Sequence, residues 1–168
     1  MSLLRYAPQI EFPPYAFLPG RDPHPTRDPR GHSYSEEPEV PPPHIEPEDW
    51  RENEPYLLGV DLYNHGFLWE AHEAWESIWH VAKHDEQHAS FIQGLIQCAA
   101  ASLKIPMQQP AGLAKLSKLG TGRLEAAAKQ FGPIYMGVDL HDFTSAMRSF
   151  ASSSPQSADE RPRLELEF

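Results

Sequence analysis

A chain of 168 residues with 40% hydrophobic residues and 11% aromatics has the size of one ordinary domain and enough apolar content to bury a core. Its formal charge of −10, from 14 Lys+Arg against 24 Asp+Glu, repels phosphate backbones and excludes nucleic acid as an expected partner. Cys98 is the only cysteine, which rules out an intrachain disulfide, and no apolar run approaches the ~20 residues of a membrane span; the expected setting is the reducing cytoplasm, without a membrane partner.

Twelve of the 18 prolines fall in residues 1–47. Their fixed φ and missing N–H groups exclude helix interior and central strand, so this segment reads as an extended arm. Tyr6, Ile10, Phe12, Tyr15, Phe17 and Leu18 are spaced through it, which predicts that part of the arm wraps a core. The stretch 19–32, with its prolines, glycines, arginines and histidines, reads as an ordered loop or a linker.

From residue 48 to 151 the apolar period is helical. Asn53 is placed to cap a first helix with Pro55 in its first turn, and Asn64-His65-Gly66 reads as its stop. A second helix is predicted over 67–82 and a third over 85–104, with Pro106 and Pro110 ending that run. A fourth covers 111–131, where Gly120-Thr121-Gly122 is a candidate kink, and Asp139 caps a fifth. No segment alternates convincingly as a strand. The expected fold is all-α: one compact bundle of about five helices, residues 48–151, with the Pro-rich arm before it and a disordered tail, residues 152–168, after it.

The second helix carries the most informative pattern. At about 100° per residue, Phe67, Leu68, Ala71, Trp75, Ile78, Trp79 and Ala82 share one arc, which predicts the buried face. His72, Glu76 and His80 form a neighbouring column, with Trp69 and Glu73 beside it, while Glu70 and Ser77 project away and read as solvated. His72 and Glu76, one turn apart, are spaced to chelate one divalent metal ion, and Glu73 is the candidate carboxylate base. His72 and His80 lie ~12 Å apart along the axis, so they cannot share an ion, and a third ligand is needed from elsewhere. The string starts like a zincin helix, but Glu76 stands where the second histidine belongs, which argues against a conventional zinc peptidase. Gln93 and Gln97 on the third helix, with Gly94 between them, are candidate ligand-binding residues alongside Trp69 and Trp79; a solvent edge with a packing glycine explains the glutamines equally well. His84 and His88 read as surface residues, and His24 and His32 of the arm are candidates for folding over the cluster.

The run Tyr63-Asn64-His65-Gly66-Phe67-Leu68-Trp69-Glu70-Ala71-His72-Glu73-Ala74-Trp75-Glu76-Ser77-Ile78-Trp79, followed by Phe91-Ile92-Gln93-Gly94-Leu95-Ile96-Gln97, resembles the two motifs of the domain-of-unknown-function 309 family. The resemblance covers about residues 56–131. It implies a helical bundle in which the helix of the first motif packs on the helix of the second, and it implies no reaction. The chain departs from the family after the glutamine motif, where Lys104-Ile105-Pro106-Met107-Gln108-Gln109 replaces a usual histidine and Gly-Asn pair.

Three functions are compatible with these residues. The first is a binding module holding a small polar ligand or a divalent cation in an aromatic-walled His/Glu/Gln pocket. The second is a metal-dependent hydrolase with His72 and Glu76 as ligands and Glu73 as base. The third is a structural or interaction protein, with the cluster as a buried polar network and self-association into a homo-oligomer left open.

Overall fold

In the computed structural model, which describes residues 3–168, five α-helices and one short hairpin follow the arm. Residues 1 and 2 of the arm lie outside the described residues. Helix α1 (Glu54–Asn64) starts as its sequence dictates: the Asn53 side chain accepts the Tyr56 N–H at 3.1 Å, and Pro55 occupies the first turn, where no N–H is needed. Gly66, with φ of 88°, ends the helix at a conformation that costs other residues more. Helix α2 (Leu68–Val81) buries Leu68, Ala71, Trp75 and Ile78, the arc expected from its period, with Phe67 and Trp79 packed at the margin. Each full burial of a large apolar side chain contributes about 1.5–3 kcal/mol. Trp75 is fully buried and its indole N–H donates to the Tyr56 carbonyl at 3.2 Å. A Cβ at Gly59 would lie 2.2 Å from that indole nitrogen, so α1 can approach α2 this closely only with glycine there.

Helix α3 (Glu86–Leu103) is capped by Asp85, whose carboxylate accepts the N–H groups of Gln87 and His88. It stops before Pro106, and Pro110 instead opens α4 (Pro110–Phe131) at a first-turn position. Helix α4 runs unbroken through Gly120-Thr121-Gly122, the candidate kink. Gly120 serves packing: a Cβ on it would meet Cys98 Sγ at 2.8 Å and the Gly94 carbonyl at 2.9 Å, so Gly94 and Gly120 bring α3 and α4 into backbone contact.

After α4 the chain forms a two-stranded antiparallel hairpin that no alternation announced, β1 (Ile134–Tyr135) and β2 (Val138–Asp139). Both turn residues, Met136 and Gly137, have positive φ, the geometry that suits the twist of a tight hairpin. The Tyr56 hydroxyl donates to the Met136 carbonyl at 2.8 Å and ties the turn to α1. Asp139 then caps α5 (Leu140–Ser152), accepting the Asp142 N–H at 2.9 Å. Consecutive helices pack on each other, and Tyr56, Tyr63, Trp75, Phe91, Leu95, Leu124 and Met147 fill the centre.

The C-terminal segment corrects the expectation of a disordered tail. Asn64 exchanges two hydrogen bonds with Leu164, donating to its carbonyl at 2.8 Å and accepting its N–H at 2.9 Å. Buried Arg161 donates to the carbonyls of Tyr63 and Asn64, supplying donors to the open end of α1, and Leu164 and Leu166 are buried. Anchoring comes from side chains on main-chain groups and from two isolated buried leucines, which leave no helical period to read.

Candidate functional site

The arm is hung on two buried carboxylates. Asp61 of α1 accepts the N–H groups of Tyr6 at 2.7 Å and Ala7 at 2.9 Å, and the Arg5 guanidinium at 3.3 Å. Glu70 of α2 accepts the Phe17 N–H at 2.8 Å and faces His32 Nε2 at 2.9 Å through the same oxygen, Oε1. Its other oxygen, Oε2, is buried without a hydrogen-bond partner among the described residues. Glu70 is therefore not the solvated residue that the helical projection gave: the arm covers the face of α2 that the other helices leave open. Phe17 and His24 pack edge-on against Trp69, with ring centroids 5.3 and 5.4 Å away.

Between arm and α2 lies a cleft of about 640 Å³, walled by Trp69, Glu70, Glu73, Ala74 and Ser77 on the helix side and by Phe12, His32 and Glu39 among others on the arm side. Its volume falls in the range of small-molecule sites. Around the helix from it, His72, Glu73 and Glu76 each offer one ligand atom, and these atoms lie within 4.8 Å of one another. His72 Nε2 is 3.4 Å from Glu76 Oε2 and His72 Nδ1 is 3.5 Å from Glu73 Oε1, while His80 reaches only the far oxygen of Glu76 at 3.8 Å. All three residues are half-buried. Burial first, and then the charge of Glu76, Glu39 and a hydrogen bond with Glu76, push the Glu73 carboxyl up to about 7, against the pull of Arg27. The third ligand that the spacing left to another part of the chain is thus available on α2 itself, from Glu73.

The remaining candidates are dispersed. Trp69 is at the cleft, but Trp79, Gln93 and Gln97 do not line it. Trp79 carries the Lys83 ammonium over its ring, 4.2 Å from the centroid. Gln97 turns to α4 and accepts from Arg123 Nε at 3.2 Å, and Gln93 is half-buried on α3. His88, expected at the surface, is buried, with Nδ1 3.0 Å from the Tyr135 hydroxyl, and burial lowers its pKa from 6.5. His32 does fold over α2, toward Glu70 rather than the His/Glu column. The arm's role at Glu70 had no signal in helical periodicity; the hints were the aromatic spacing of the arm and its histidines His24 and His32.

These features define a helical bundle with a His/Glu/Glu group on one helix and a roofed cleft beside it. Residues 56–116, from α1 into the start of α4, match the family model described as Domain of unknown function (DUF309); the arm, most of α4, the hairpin, α5 and the C-terminal segment lie outside the match. No curated protein and no solved structure matches the chain. Among the described residues no helix is long and apolar enough to cross a membrane.

Proposed function

We propose that this protein is a binding module that holds a divalent cation at His72, Glu73 and Glu76. The observation that carries the reading is the convergence of one imidazole nitrogen and two carboxylate oxygens within 4.8 Å from positions 72, 73 and 76 of one helix. One nitrogen with two oxygens suits a borderline ion such as Zn²⁺ or a hard one such as Mn²⁺ better than a soft ion. The half-buried setting leaves coordination positions open to water or to a ligand. A cation would also offset the burial, and after it the neighbouring Glu76 charge, that together hold Glu73 partly protonated near pH 7.

The test is calorimetric titration of tag-free protein with Zn²⁺ and Mn²⁺, beside the double variant His72→Ala, Glu76→Ala. One ion per chain in the parent is expected, with a loss in the variant exceeding the roughly 10–100-fold typical of an outer-shell residue. No binding in the parent, or equal binding in a variant that melts like the parent, overturns the reading.

A second reading, a metal-dependent hydrolase with Glu73 as general base, is favoured by the carboxyl value of about 7, which suits proton transfer at neutral pH. Glu73→Gln separates the two. A ligand role predicts weaker metal binding, and a base role leaves metal binding intact.

A further inference from the structure

We propose a second site, in the cleft between the arm and α2, that takes a small organic amine. It goes beyond the cation site and shares only Glu73 with it.

The ionisable side chains lining the cleft are Glu11, Glu37, Glu39, Glu70, Glu73 and His32, with no lysine or arginine among them. A concave, partly desolvated surface of one charge sign focuses potential and concentrates ions of the other sign, and the net charge of −10 adds to that field. An acidic cluster alone specifies nothing. The specific feature is Glu70. Its side chain is 6% exposed, Oε1 already receives the arm through Phe17 and His32, and Oε2 is buried without a partner. A buried carboxylate oxygen left unpaired is costly, and native structures rarely keep one unless something else supplies the donor. The missing group is a hydrogen-bond donor, and the surroundings favour one that carries positive charge.

The apolar part of the cleft fixes the rest of the ligand. Phe12 and Trp69 line it with Leu62, giving an aliphatic chain an apolar surface; the Phe12 ring already carries the Arg5 guanidinium 3.9 Å from its centroid, so this wall serves the carbon chain and not the charge. A volume of about 640 Å³ accommodates a short diamine or polyamine. An ammonium at the Glu70 and Glu73 end, with the carbon chain against the aromatic wall, satisfies both halves of the site. A bound amine would also fasten the arm, since Phe12, His32 and Glu39 come from it.

The experiment titrates the full chain with 1,4-diaminobutane and with spermidine in the presence of EDTA, so that the cation site is empty and its failure cannot mask this one. Controls are 1,4-butanediol, which keeps the chain length without charge, and glutarate, which reverses the charge. Both amines are expected to bind below about 1 mM, and both controls to give no heat. Glu70→Gln keeps an oxygen for Phe17 and His32 but presents an amide donor in place of Oε2, and should weaken the amines about tenfold or more. Ala74→Lys places an ammonium in the cleft from a half-buried position on α2 and should abolish binding, with a melting curve recorded beside it to show that the variant is folded. His72→Ala, which disables the cation site, should leave amine binding unchanged. Equal binding of butanediol and diaminobutane, or amine binding that survives both Glu70→Gln and Ala74→Lys, overturns the proposal. So does the absence of heat from either amine. Calcium binding without EDTA that Glu70→Gln removes, with no heat from the amines, would overturn it in favour of a metal.

Discussion

Asp61 on α1 and Glu70 on α2 are both buried acids that receive main-chain N–H groups of the arm, yet only Asp61 has both oxygens occupied. Asp61 takes three donors, all from the arm, and does not line the cleft between arm and α2. Glu70 takes its two donors on a single oxygen and lines the cleft. The contrast separates an acid whose hydrogen-bonding capacity is met within the fold from one with capacity left over for something outside it.

The largest effect expected from breaking this contrast is at Asp61. Asp61→Ala strands the Tyr6 and Ala7 N–H groups and the Arg5 guanidinium, and should cost about 3–5 kcal/mol, as loss of one partner from a buried charged pair does. Denaturant titration measures the loss, and limited proteolysis should cut within the arm first. Glu70→Ala strands one N–H and one imidazole, and the same titration should give a smaller loss of about 1–3 kcal/mol. A third test stays on α2 and reads chemistry instead of folding. Because Glu73 must lose its proton to ligate, metal affinity should rise by up to about tenfold per pH unit as pH climbs toward 7, then flatten above it. Titration of the parent at a series of pH values checks this, and Glu73→Gln should remove that part of the slope. The smallest effect is that of Glu70→Gln on stability, within about 1 kcal/mol, because the amide still accepts from the arm. A large loss there would mean that Oε2 has a structural partner after all, and the contrast with Asp61 would collapse.

Much of the bundle was legible in the sequence because its signals are local. The Asn53 and Asp139 caps, the buried arc of Ala71, Trp75 and Ile78, and the resemblance to the DUF309 motifs depend on residues close together in the chain. His72, Glu73 and Glu76 were each legible as site candidates for the same reason, being within two turns of one helix, but spacing alone assigned Glu73 as a base and left the third ligand to another part of the chain. Glu70 was not. A helical projection reports which face meets other helices, and it cannot register a proline-rich segment that lies across the opposite face. Gln97 was ambiguous on its own helix, and only its meeting with Arg123, 26 positions on, resolves it. The C-terminal segment is held by the Asn64 side chain on the main chain of Leu164, by the Arg161 side chain on the carbonyls that end α1, and by burial of Leu164 and Leu166, an irregular arrangement with no period to read.

The arm's attachment to Asp61 and Glu70 runs through backbone amides at positions 6, 7 and 17, and this sets an unusual rule for how the segment can drift. Side chains at those three positions are not what the carboxylates grip, so many replacements would pass unnoticed by them. Proline would not, because it has no amide hydrogen to offer. In a stretch that holds 12 prolines, including Pro8 immediately after Ala7, the three places barred to proline are more informative than the 12 where it stands. A library that randomises residues 3–18 and selects for a docked arm should return sequences of widely different composition that still avoid proline at 6, 7 and 17.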